Sequence, residues 1–151
     1  MSLFFGAIVL MQLAQQANSK VIFVPAKEVL HQMRTAAEGT PEFGWVYLVK
    51  APGYTAETVR RTSPARAEVH TGVDDVWYVI EGGGTLVTGG SLVQGVRTEP
   101  GEIRGRSIAG GESRHIAKGD FAAIPAGVPH WISKVDGKEI IYLIVKPASR
   151  E

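Results

Sequence analysis

Gly119-Asp120-Phe121-Ala122-Ala123-Ile124-Pro125-Ala126-Gly127-Val128-Pro129-His130-Trp131 is the stretch on which the reading of the fold turns. Residues 121–124 form a short apolar run with the composition of a strand. Pro125 lacks the donor that a further ladder bond would need, and Gly127 accepts a backbone conformation that side chains resist. The Pro-Ala-Gly-Val-Pro segment therefore reverses the chain, and His130 begins the strand that follows. A histidine set just after a rigid turn is well placed to serve as a metal ligand.

A second stretch points to the same chemistry: Glu68-Val69-His70-Thr71-Gly72-Val73-Asp74-Asp75-Val76-Trp77-Tyr78-Val79-Ile80-Glu81-Gly82. Glu68 and His70 stand two apart on a predicted strand, so their side chains leave the same face. A turn at 71–74 brings Asp75, at the opening of the next strand, back beside them. Carboxylate, imidazole and carboxylate converging from adjacent strands make a partial shell for a divalent cation.

Outward from these stretches, the chain is mostly short β-branched and aromatic runs punctuated by Gly, Pro and Asp, the pattern of an all-β sandwich or barrel. Strands are expected over 44–50, 55–61, 65–70, 76–81, 84–88, 112–117, 121–124, 130–135 and 139–146. Gly82-Gly83-Gly84, Gly89-Gly90 and Asp136-Gly137 are read as tight turns. Residues 91–111, with Pro100 and several glycines, read as a long loop or an irregular hairpin. Before the strands, Val21-Ile22-Phe23-Val24 reads as a short strand closed by Pro25. Residues 26–37 carry a helical pattern with Val29, Leu30 and Met33 on one side, ending at Gly39 and Pro41.

These two motifs resemble those of the cupin family. That family's first motif is glycine, five residues, His-x-His, three or four residues, Glu, six residues and Gly. Here His70 fits the second histidine, Asp75 the glutamate and Gly82 the final glycine, whereas Glu68 stands in the first histidine slot and Thr62 in the opening glycine slot. The second motif is glycine, five residues, Pro-x-Gly, two residues, His, three residues and Asn. Gly119, Pro125, Gly127 and His130 match it, and Lys134 replaces the asparagine.

The resemblance implies an all-β jelly-roll (double-stranded β-helix) barrel, to which the helical pattern over 26–37 adds a short N-terminal helix. It implies a metal shell of Glu68, His70, Asp75 and His130 around one divalent transition metal: Fe, Mn, Ni or Zn. Trp77 and Val79, on the strand face of Asp75, are pocket candidates, with core packing the stronger expectation for both. The implied partner is a small polar molecule inside the barrel, and the implied assembly is a homodimer paired through edge strands. The function expected first is a metal-dependent oxygenase, isomerase or lyase. The alternatives are a non-catalytic module binding a sugar or carboxylate, and a structural dimer with a vestigial site.

Composition sets the outer limits. The 151 residues suit one core, and a net charge of +1 without any Lys/Arg run argues against nucleic acid as a partner. The absence of cysteine excludes disulfides, thiolate zinc sites and cysteine nucleophiles. The organisation expected is an apolar N-terminal segment over 1–19 and a single domain over 20–151. Leu3 to Met11 is too short to span a bilayer, which needs roughly 20 apolar residues. It matches either a truncated signal peptide or a packing arm, so cytoplasm and export both stay open.

Competing readings of single residues are ordinary ones. Asp74 rivals Asp75 for the ligand position and is otherwise a turn cap. Glu68 could pair with Arg60, Arg61 or Arg66 at the surface. His115 and His31 read as surface histidines, and Trp131 faces away from His130. The triple glycine is not followed by the Lys-Ser and helix of a phosphate loop, and no serine sits on a nucleophile elbow. Glu68 and Asp75 acting as a metal-free carboxylate pair is the remaining enzymatic alternative.

Overall fold

The computed structural model describes residues 21–35 and 38–147, so the segment 1–19 lies outside the described residues. Among the described residues one helix, α1 (Ala26–Thr35), precedes twelve strands. They are β1 (Glu38–Gly39), β2 (Phe43–Ala51), β3 (Tyr54–Arg61), β4 (Ala67–His70), β5 (Asp75–Thr88) and β6 (Ser91–Val93), followed by β7 (Val96–Glu99), β8 (Glu102–Gly105), β9 (Ser107–Ala109), β10 (Glu112–Ala117), β11 (Phe121–Ile124) and β12 (His130–Pro147). Every pairing is antiparallel, and ten strands share one curled sheet while β6 and β9 form a separate pair. This is an all-β jelly-roll barrel with one short helix before it.

The long strands β5 and β12 are its spine. They run antiparallel from His130 opposite Thr88 to Val145 opposite Val76. The second half of β12 also pairs with β3, and β10 and β11 take the other side of β5. Alternation along β5 explains its placement: Asp75, Trp77 and Val79 are buried while Tyr78 between them is exposed. Trp77 stacks on Tyr142 with ring centroids 4.7 Å apart, and Leu86, Ile132, Ile140 and Ile144 complete the core around them.

Two expected turns are not turns. Gly82-Gly83-Gly84 lies inside β5, and Asp136-Gly137 lies inside β12. The two sites face each other across the spine, where the register slips between Val135 and Ile140. The glycines are there for clearance: a Cβ on Gly82 would stand 2.0 Å from the Glu139 carbonyl oxygen, and one on Gly84 2.4 Å from that of Lys134. Glycine therefore marks a bulged crossing, a use that local composition does not distinguish from a hairpin. Each pair of short strands expected on either side is one long, bent strand.

Residues 91–111 form an irregular hairpin, with β6 on β9, β7 on β8, and β8 lying along β4. Val21-Ile22-Phe23-Val24 pairs with no strand among the described residues, and Val21 and Phe23 are exposed. Its β-branched composition finds no ladder to join. The helix ends at Thr35, with positions 36 and 37 outside the described residues. It buries Met33, and Arg34 ties it to Glu81 at 2.9 Å; nearby, Glu139 also binds Arg60 at 2.7 Å.

Candidate metal centre

The turn after β11 is locked to the end of β4. Gly127, at φ +80°, donates its backbone N–H to the carbonyl of His70 at 2.7 Å, and Ala126 donates to Asp74 Oδ1 at 2.8 Å. Asp74 thus holds the turn, and the neighbouring Asp75 is the carboxylate that points inward. The lock brings the start of β12 alongside β4, with His130 directly opposite Glu68. β4 and β5 are not adjacent strands as expected. Both flank the start of β12, and the four side chains converge from three strands.

Glu68, His70, Asp75 and His130 are all buried. His130 Nε2 stands 3.3 Å from Glu68 Oε1 and 3.5 Å from Asp75 Oδ2, and His70 Nε2 is 3.5 Å from the same Asp75 oxygen. Donor atoms of Glu68, His70 and His130 lie within 4.8 Å of one another, a group able to hold a metal ion. Both imidazoles are oriented from behind. His70 Nδ1 contacts Glu102 Oε2 at 2.5 Å, and His130 Nδ1 contacts the carbonyl of Val128 at 3.1 Å. With Nδ1 against an acceptor, each ring turns Nε2 toward the centre, the orientation a metal ligand requires.

Two buried atoms of the four expected ligands are left without a hydrogen-bond partner, His130 Nε2 and Asp75 Oδ1. Leaving such atoms bare costs about 1–3 kcal/mol each, and a cation between them would satisfy both. The donor chemistry, two imidazoles and two carboxylates, suits a divalent transition metal.

Electrostatics knit the centre together. Burial would raise the Glu68 carboxyl, yet the His130 imidazole, Arg104 and Arg61 outweigh it and hold Glu68 well below the usual carboxylate range. Burial likewise opposes a charge on His130, but Glu68 and Asp75 raise its pKa above the ordinary value. Trp77 donates Nε1–H to Asp75 Oδ2 at 3.2 Å and meets the His130 ring edge-on. Trp77 and Val79 pack in the core, outside the cavity wall.

A cavity of about 410 Å³ opens onto Glu68 and His70. Its other walls bring residues that the motifs did not indicate. Arg104 binds Glu68 and Glu102, and Lys146 Nζ lies 3.2 Å from His70 Nε2 and 3.7 Å from Asp75 Oδ1. Glu57, Arg61, Phe43, Trp45 and Tyr47 line it as well. A usable signal existed for some. Glu57 and Arg61 share the strand parity of buried Val59, and Lys146 that of Tyr142 and Ile144. A charged residue at an inward position of an apolar strand is rarely placed for packing.

The other histidines and Trp131 lie away from the centre. His115 is exposed and pairs with Asp136 at 2.8 Å, His31 is exposed, and Trp131 donates Nε1–H to the Ala65 carbonyl at 2.8 Å. No helix among the described residues is long and apolar enough to cross a membrane.

No family model matches the sequence, and no curated protein matches it. Solved structures do. TT1209 from Thermus thermophilus aligns over 87% of this chain and 100% of its own, with a TM-score of 0.59 at 19% identity. KdgF from Halomonas sp. aligns over 75% of this chain and 86% of its own, with a TM-score of 0.53 at 16% identity. A cupin 2 conserved barrel domain protein from Rhodopseudomonas palustris aligns over 76% and 70%, with a TM-score of 0.52 at 16% identity. At these identities the likeness establishes the fold.

Proposed function

Because this chain is a cupin by its fold, we propose that it holds one divalent transition metal through Glu68, His70, Asp75 and His130 and acts as an enzyme on a small polar molecule in the cavity. The observation that carries this reading is the pair of histidines, each tied back through Nδ1 and each presenting Nε2 beside a carboxylate. Iron, manganese, nickel and zinc all accept such a donor set. Bound there, a metal supplies Lewis acidity toward a substrate oxygen, or redox chemistry if it is iron. Two carboxylate ligands neutralise a dication and temper its acidity relative to a three-histidine shell.

The chain's own groups complete the site. Glu102 and the Val128 carbonyl fix the imidazoles, and Arg104 fixes Glu68 and Glu102. Lys146 offers an ammonium to the cavity within reach of His70. Glu57 is raised above the ordinary carboxyl value by burial and by Asp75 and Glu68, against the pull of Lys146. A half-buried carboxyl on the cavity wall is placed for acid–base work on a bound molecule. Oxygenase, isomerase and lyase chemistry are all compatible with these groups.

Elemental analysis of untagged protein beside His70→Ala and His130→Ala tests the reading. Near-stoichiometric metal in the parent, lost from both variants, supports it, and metal absent from the parent after reconstitution sinks it. One observation favours a second reading, a non-catalytic binding module: Lys146 and Arg104 already lie against the acidic groups of the centre. A metal-free protein of full stability that binds a small molecule would establish that reading instead.

A further inference from the structure

Among the cations of the cavity wall, Arg61 differs from the rest. Arg104 contacts two carboxylates, and Lys146 sits between His70 and Asp75. Arg61 is only 7% exposed, and its hydrogen bond runs from Nε to the phenol oxygen of Tyr142 at 2.8 Å. Among the described residues no carboxylate lies at ion-pair distance from it, and no hydrogen bond uses its two terminal nitrogens. Burial raises the pKa of Tyr142, so the phenol stays neutral and offers no counter-charge. Burial weighs against the charge of Arg61, Tyr142 and, through space, Glu68 offset that cost, and among the described residues no anion touches the terminal fork itself.

The setting is built and rigid. Arg61 ends β3 directly opposite Phe43 on β2, and its guanidinium lies 4.3 Å over the Phe43 ring. Phe43 in turn lies against Trp45, with centroids 5.2 Å apart, and both face the cavity. The stack fixes the plane of the guanidinium while its terminal N–H fork remains free for a ligand. A planar fork of donors matches a carboxylate, and an aromatic wall beside it matches an apolar or flat body.

We propose that Arg61 is the anchor for a carboxylate, and that the molecule taken into the cavity is a small carboxylic acid whose body lies along Phe43 and Trp45. This deepens the reading given above, since it names the class of molecule for the same cavity. The acid is held at the Arg61 end, and its far end is presented to Glu68 and His70, which line the same cavity.

The test is calorimetric titration of the full chain, metal-free and metal-loaded, with benzoate against benzamide and hexanoate against hexanamide. At least one acid binds about tenfold more tightly than its amide, in both forms of the protein, because only the acid makes the charge-assisted fork. Arg61→Gln brings the acid-to-amide ratio to about one, and Arg61→Lys, a point charge without the fork, keeps part of it. Equal binding of acid and amide by the unaltered chain, no binding of either acid, or an undiminished ratio in Arg61→Gln overturns the proposal. Should Arg61→Gln fail to fold, the guanidinium ¹⁵N–¹H signals of the unaltered chain decide: Arg61 signals that shift with benzoate and not with benzamide support the anchor, and signals that ignore both refute it. Failure to bind metal would sink the metal centre alone, because the ratio is also read on metal-free protein.

Discussion

The two edges of β4 carry different chemistry. On one edge Glu68 faces His130 across to β12, and on the other it faces Arg104 across to β8, while His70 faces Glu102. The β12 edge contains His130 Nε2, a buried atom with no hydrogen-bond partner, and rests on Trp77 and the core. The β8 edge is saturated with ion pairs and partly open to the cavity. The difference teaches that one short strand can serve as a ligand platform on one side and draw its orienting charges from the other. The first side is set by a rigid turn, the second by how a distant hairpin docks.

Breaking the β12 edge has the largest expected cost. Trp77→Ala removes the stack on Tyr142, the edge contact with His130 and the bond to Asp75, and should destabilise the fold by about 3–5 kcal/mol in denaturant titration. Next comes the residue shared by both edges. Glu68→Ala should weaken metal binding by more than about a hundredfold, beyond the range of orienting partners. Arg104→Met, on the β8 edge alone, should leave metal stoichiometry intact, and direct metal titration of the two variants separates the edges.

Glu102→Gln sharpens the comparison further. It keeps the shape but weakens the hold on His70 Nδ1, so metal affinity should fall by about 10–100-fold while saturating metal still fills the site. The smallest effect is expected where an ion pair lies off the cavity. Arg60 hydrogen-bonds Glu139 and lowers its pKa below the ordinary value, with burial opposing. A depressed carboxyl contributes stability above its unfolded pKa of about 4.3 and loses it as pH falls through the folded value. Glu139→Gln should therefore cost about 1 kcal/mol at neutral pH. Thermal melts of the two proteins should converge as the medium is acidified.

Legibility tracks the range of the interaction. The turn 125–129, the inward pairing of Glu68 with His70 and the opening of β5 at Asp75 are local, so residue type and spacing suffice to read them. The triple glycine misleads for a related reason. Its demand for small residues comes from Glu139 and Lys134 on β12, roughly fifty positions away, while a hairpin would impose the same composition locally. Glu102 and Arg104 sit in a stretch readable only as loop or hairpin, and their partners depend on the β4–β8 register. Val21-Ile22-Phe23-Val24 shows the converse, a strand-like composition with no pairing neighbour among the described residues.

By itself the sequence determined an all-β chain, the two motifs and the inward facing of Glu68 and His70, because these follow from backbone periodicity and turn chemistry over a few residues. Tertiary structure decided that β4 and β5 meet across β12, that Asp74 holds the turn through Ala126, and that Glu102 and Arg104 join Arg61 and Lys146 around the cavity. The physical reason is that strand register and burial are settled by contacts between distant segments, and an isolated charge reveals its partner only once the sheet has closed.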